Sequence, residues 1–205
     1  MTRIVIVDDH ESLRDSFRIA FETAGDLTIV AETANAAEAL ELVRRTKLDL
    51  VLMDVCTAEG ASGLEATRQI REVYPDLKII VMSGFDEISY APRAKEAGAD
   101  AFVYKSKSMA FFLEIIQKVL AGEQWFPEPR TIPLPKGEAP LTAREMEILR
   151  LICQYRTRNE IARELFIQPD TVKYHVSNML AKTGCSTTAE LAILMISSGW
   201  INPRY

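Results

Sequence analysis

The stretch Leu48-Asp49-Leu50-Val51-Leu52-Met53-Asp54-Val55 decides the fold, because a short apolar run stops there on an acidic residue. Six residues, 48–53, are too few for a buried helix, and they read as a strand. Working outward, residues 3–7, 28–32, 78–83 and 101–104 form similar β-branched runs and read as four more strands. Amphipathic stretches fill the gaps at 12–23, 35–45, 63–73, 89–97 and 108–120. Such alternation requires parallel strands joined by right-handed crossovers. Residues 1–122 are therefore expected to form a doubly wound α/β domain around a five-stranded parallel sheet.

After Gly122 the alternation ends. Pro127, Pro129, Pro133, Pro135, Gly137 and Pro140 punctuate a stretch that sustains neither helix nor central strand, and 123–139 reads as a linker. From 140 to 205 the period is helical, with helices expected at 142–153, 157–165, 169–182 and 188–197. Four short helices make a small all-α domain. A chain of 205 residues, 48% hydrophobic, has enough apolar material for two such cores.

No apolar run approaches the roughly 20 residues of a membrane helix, and no signal peptide is legible at the start. The protein is expected in the cytoplasm, away from membranes. Cys56, Cys153 and Cys185 are far apart and lack CxxC spacing, so they read as small apolar residues, neither a disulfide framework nor a zinc site. A formal charge of -5 gives no general bias toward nucleic acid, yet the segment from Pro140 onward is slightly basic while the part before it is acidic.

In a doubly wound sheet the functional crevice lies beyond the carboxyl ends of the strands. Asp8 and Asp9 follow the first strand, Asp54 ends the third, Ser83 ends the fourth and Lys105 lies just past the fifth. Taken singly, each has an ordinary reading as a helix cap or a solvated group. Together they make a phosphoryl-transfer site. Converging carboxylates repel unless a hard cation such as Mg²⁺ sits among them. The ion can bind one phosphoryl oxygen, Lys105 and the Ser83 hydroxyl can bind others, and Asp54 is the available nucleophile.

With these residues in place, the first 122 residues resemble the receiver domain of two-component response regulators, a flavodoxin-like fold. The resemblance implies that Asp54 accepts phosphate from a sensor histidine kinase. It also implies that Asp9, Asp54 and the Cys56 backbone carbonyl ligate Mg²⁺, with Asp8 acting through water. Ser83 and Phe102 stand where that family has its switch hydroxyl and switch aromatic, and Lys105 where it has the lysine that contacts the acyl phosphate. Two departures stand out. The segment Val55-Cys56-Thr57-Ala58-Glu59-Gly60-Ala61-Ser62-Gly63 lacks the family's proline near Ala58 and reaches its glycine one residue late, and Ser106 replaces the proline that often follows the lysine.

In the second domain, Thr157-Arg158-Asn159-Glu160 has capping-box spacing, and Pro169 suits a first helical position. At about 100° per residue, Val172, Val176, Met179 and Leu180 share the core side of the helix that follows, with Tyr174, Ser177, Asn178 and Ala181 outward and Lys173 and His175 at the flanks. That pattern alone also fits a solvated amphipathic helix. Leu141-Thr142-x-Arg144-Glu145, Glu160-Ile161-Ala162, Thr171-Val172-Lys173-x-His175 and Lys182-x-Gly184 resemble the LuxR/NarL helix-turn-helix. Departures are Gln168, where that family usually has serine, and Thr157-Arg158, where it usually has a Ser-Asn pair. The resemblance implies that the helix from Pro169 enters the major groove of double-stranded DNA, with Lys173, Tyr174, His175 and Ser177 facing it.

One weakly basic copy neutralises few phosphates, so DNA binding is expected from a homodimer. The apolar run 191–196 either supplies that dimer surface or closes the domain's own core. The expected function is a transcriptional regulator whose dimerisation and promoter binding respond to phosphorylation at Asp54, a self-modification and not an enzymatic turnover. Two alternatives stand beside it: a regulator whose receiver is a phosphorylation-independent dimerisation module, and a Mg²⁺-dependent phosphohydrolase. The latter often needs a second Asp where Cys56 stands.

Overall fold

A computed structural model describes residues 1–57, 60–85, 87–128, 132, 134–135 and 139–203. The chain forms two compact units, one from residues 1–85 and 89–128, the other from 87–88 and the described part of 130–203. Ala58 and Glu59 of the altered loop, and Pro129, Pro133, Gly137 and Arg204, lie outside the described residues.

The first unit runs β1 (Thr2–Val7), α1 (Glu11–Ala24), β2 (Leu27–Thr33), α2 (Ala39–Arg45), β3 (Leu50–Asp54), α3 (Gly63–Val73), β4 (Lys78–Ser83), α4 (Tyr90–Glu96), β5 (Ala101–Tyr104) and α5 (Met109–Leu120). Its sheet is wholly parallel in the order β2-β1-β3-β4-β5. The strand order reverses at β1, which sends β1 and β3, neighbours in the sheet, into loops that diverge above it.

Side-chain alternation divides the strands between two cores. Ile4 and Ile6, Leu50 and Leu52, Ile80 and Met82, Ala101 and Val103 face one way, against Phe17, Phe21, Phe112, Ile115 and Val119 of α1 and α5. Val5 and Val7, Val51 and Met53, Ile79 and Val81, Phe102 and Tyr104 face the other, against residues of α2, α3 and α4. A strand buried on both faces has no polar side to show, which is why these runs are nearly continuous in sequence. Each fully buried Leu, Ile or Phe contributes about 1.5–3 kcal/mol.

Most elements begin or end within two residues of the positions read from sequence. The stretch 35–45 differs. It opens as a 3₁₀ turn at Ala36–Glu38, capped by Asn35, and becomes α-helical only from Ala39. Beyond α5, Trp125 pairs with Ala101 as a parallel bridge; the Phe102 N–H donates to the Trp125 carbonyl at 3.0 Å. The start of the expected linker thus extends the β5 edge, a position that suits a non-central strand.

The second unit contains α6 (Ala143–Cys153), α7 (Arg158–Glu164), α8 (Pro169–Thr183) and α9 (Thr188–Ser197). Ile148, Leu149, Ile161, Val172, Met179, Leu191 and Met195 form its core. Both α6 and α7 start with complete capping boxes, Thr142 with Glu145 and Thr157 with Glu160. Glu145 is buried and also receives Lys182 Nζ at 2.7 Å. Within the same unit Glu87 is wholly buried, its carboxylate taking Arg150 at 2.9 Å. Cys153 is buried too, and burial pushes its thiol up to about 11, so it stays protonated and behaves as an apolar residue. Among the described residues no helix is long and apolar enough to cross a membrane.

Candidate functional site

The parallel register brings the ends of β1, β3 and β4 level: Val7 pairs with Met53, and Asp54 with Met82. Asp8 and Asp54 therefore emerge side by side, and β5 delivers Lys105 one residue after Tyr104, which pairs with Ser83. Lys105 Nζ lies 2.8 Å from Asp8 Oδ2 and 2.8 Å from Asp54 Oδ2. Both carboxylates are almost wholly buried.

Burial pushes the Asp54 carboxyl up to about 6, and the neighbouring Asp8 charge adds to that, while Lys105 and a hydrogen bond from the Cys56 amide oppose it. Burial alone would lower the Lys105 ammonium; the charges of Asp54 and Asp8 outweigh it and raise the group above its ordinary value. The cation is thus held charged between two carboxylates. Arg14 of α1 braces the corner, donating from Nη1 to the Asp8 carbonyl at 2.7 Å.

Asp9 is more exposed, with His10 Nδ1 2.8 Å from its Oδ1. Ligand atoms of Asp8, Asp9, His10 and Asp54 all lie within 4.8 Å of one another, a donor set of carboxylate oxygens plus one imidazole that fits a divalent cation. Thus the sequence reading placed Asp8, Asp9, Asp54 and Lys105 in one cluster, and the structure brings them together. It did not single out His10, although the residue directly follows the Asp pair.

Ser83 is buried, and its hydroxyl donates to the Phe85 carbonyl at 3.1 Å while accepting from the Phe85 N–H at 3.0 Å. Phe102 is fully buried with its ring 5.1 Å from Tyr104, edge to face. The Cys56 thiol lies 3.4 Å from the Tyr90 hydroxyl. Gly63 opens α3 directly against the acidic site: a Cβ there would lie 1.8 Å from the Asp54 carbonyl oxygen. Only glycine permits this approach.

In the second unit α8 buries Val172 and Met179, with Val176 and Leu180 partly buried on the same core. Lys173, Tyr174 and Ser177 are exposed and His175 is half-buried, its ring 5.6 Å from that of Tyr174. Arg158 and Arg163 of α7 are also exposed. On α9, Leu191 and Met195 enter the core, as the core-closing reading of 191–196 expects, while Ile193 and Leu194 stay exposed.

The description "Response regulator receiver domain" matches residues 4–117, and "Bacterial regulatory proteins, luxR family" matches residues 139–195. The response regulator protein VraR of Staphylococcus aureus (strain Mu3) is 35% identical over 188 residues, covering 88% of this chain and 89% of that one. A crystal structure of a two-component response regulator, LuxR family, from Aurantimonas sp. SI85-9A1 is 36% identical, with a TM-score of 0.57 over 61% of this chain and 89% of that one. RcsB from Salmonella enterica serovar Typhimurium, bound to promoter rprA in the presence of phosphomimetic BeF3-, shares the fold at 18% identity, with a TM-score of 0.63 over 97% of this chain and all of that one. A receiver-type acidic cluster in one unit and a helix-turn-helix in the other are two halves of one design, and this chain belongs to the LuxR family of response regulators.

Proposed function

We propose that Asp54 is the phosphoacceptor and that its phosphorylation controls DNA binding by the second unit. The observation that carries this reading is the single lysine ammonium shared at 2.8 Å by Asp8 and Asp54 at the strand ends of a receiver fold. Asp54, in its carboxylate form, attacks the phosphorus of a kinase phosphohistidine; an O–P bond forms, the N–P bond breaks and the imidazole leaves. Lys105 then turns from the free carboxylate to the acyl phosphate oxygens.

Asp9, Asp54 and the Cys56 carbonyl would hold Mg²⁺, with Asp8 acting through water. The ion would supply charge neutralisation for an incoming phosphoryl oxygen. Ser83 exchanges its bonds to Phe85 for one to the phosphoryl group, and Phe102 follows it as the switch aromatic. This is self-modification in the cytoplasm, and the protein turns over no substrate. Residues 1–122 are the receiver, 123–139 the linker and 140–205 the DNA-binding domain.

Lys173, Tyr174, His175 and Ser177 line the face of α8 offered to the major groove. By their position α7 and α8 correspond to the two helices of the motif, the second of which reads bases. Because the second domain is only weakly basic, a dimer engages DNA, and Ile193 and Leu194 are candidates for its contact. Intact-mass measurement after incubation with acetyl phosphate, with and without Mg²⁺, tests the reading: one phosphoryl group should add to wild type only with the ion, and none to Asp54→Asn. Equal labelling of the variant would overturn the assignment. Absence of any labelling would favour a constitutive dimerisation module.

A further inference from the structure

His10 stands at the N-cap of α1, yet its side chain makes no capping hydrogen bond. Its backbone N–H donates to Asp8 Oδ1 at 2.9 Å, closing a tight turn that returns the imidazole toward the carboxylates. There Nδ1 lies 2.8 Å from Asp9 Oδ1, 3.2 Å from Asp8 Oδ1 and 3.5 Å from Lys105 Nζ. Both separations from oxygen are hydrogen-bond distances, and both also match the spacing of adjacent ligands on one ion. An octahedral ion with bonds of about 2.1 Å sets its adjacent ligands about 3 Å apart. The nitrogen therefore already occupies a ligand's distance from two oxygens of the metal-site residues.

We propose that His10 Nδ1 is a direct ligand of the divalent ion held by Asp9, Asp54 and the Cys56 carbonyl, tuning the site toward first-row transition ions over Mg²⁺. The inference rests on the metal-dependent receiver reading given above. Two carboxylates, a carbonyl and a water held by Asp8 suit Mg²⁺, Ca²⁺ and Mn²⁺ alike, whereas an imidazole nitrogen favours transition ions. His10 is mostly exposed, with 64% of its side chain accessible, so the ring can settle on an ion without repacking the core. A mere hydrogen bond to Asp9 would leave ion preference to the oxygens alone.

The protein has two histidines, His10 and His175, which makes the test clean. The full chain is titrated with Mn²⁺ and, separately, Mg²⁺, and the bound Mn²⁺ is examined by electron spin echo envelope modulation for directly bonded ¹⁴N. Wild type should show the nitrogen signal. His10→Gln should lose it and weaken Mn²⁺ binding about tenfold, with Mg²⁺ binding roughly unchanged. His175→Gln should keep both. Mn²⁺ bound without a nitrogen signal in wild type, or with equal affinity in His10→Gln, would overturn the inference while leaving the metal-dependent reading intact. Failure of wild type to bind either ion would overturn both.

Discussion

Gly63 shows how closely the acidic site is built against its supporting helix. A methyl group there would meet the Asp54 carbonyl carbon at 2.8 Å and its oxygen at 1.8 Å, so the β3 terminus must shift. Gly63→Ala is predicted to slow acetyl phosphate labelling of Asp54 and to cost about 1–3 kcal/mol of stability, checked by intact mass and urea unfolding. Unchanged labelling would mean that Asp54 tolerates the shift. Glu145 offers a pH-dependent counterpart in the second unit. Burial would raise its carboxyl, but the bonds from Lys182 and Thr142 prevail and hold it below 4.5. A depressed folded value stabilises above the unfolded one, and that stability is lost as pH falls below 4.5 through the folded value. Glu145→Gln should therefore unfold more easily than wild type at pH 7, by about 1–2 kcal/mol, and the gap should close on acidification. A gap that is independent of pH would assign the loss to the cap and not to the charge.

At the scale of elements, α6 and α7 both end on left-handed residues that are not glycine: Tyr155 at φ 62° and Phe166 at φ 54°. By contrast α8 ends on Gly184 at φ 73°. A side chain in that region costs roughly 1 kcal/mol, and Tyr155 is 85% exposed, so it recovers little by packing. Tyr155→Gly is predicted to stabilise the second unit by up to about 1 kcal/mol in urea unfolding; destabilisation would reveal a contact that Tyr155 makes. On α8, Lys173→Ala should relax base preference at one position, while Arg158→Ala on α7 should weaken all sequences alike and lower the salt slope by about one. Binding-site selection separates the two. If Lys173→Ala weakens every duplex evenly, Lys173 touches phosphate. These elements were legible because each carries its own signal: continuous apolar runs for β3 and β4, Pro169 for α8, the Thr157 box for α7. Less legible were features set by partners distant in sequence. The bond from Phe102 to Trp125 depends on register across the β5 edge, the 3₁₀ opening at Ala36 on Thr57 accepting from the Ala36 N–H at 2.9 Å, and the place of His10 on how the Asp8 turn closes.

At the scale of the whole molecule, an acidic receiver is joined to a helix-turn-helix domain that is only weakly basic. From Pro140 onward eight basic residues face six acidic ones in the sequence. Under the proposed function, affinity is gained by doubling the contacts, and phosphorylation of the receiver controls that gain. The most direct test is fluorescence anisotropy on a duplex obtained by binding-site selection, at fixed salt. Wild type and Asp54→Asn are each titrated with and without acetyl phosphate and Mg²⁺. The account predicts that phosphorylation tightens wild-type binding by about tenfold or more, equivalent to about 1.4 kcal/mol, and leaves Asp54→Asn unchanged. Equal wild-type affinity before and after quantitative phosphorylation would contradict it.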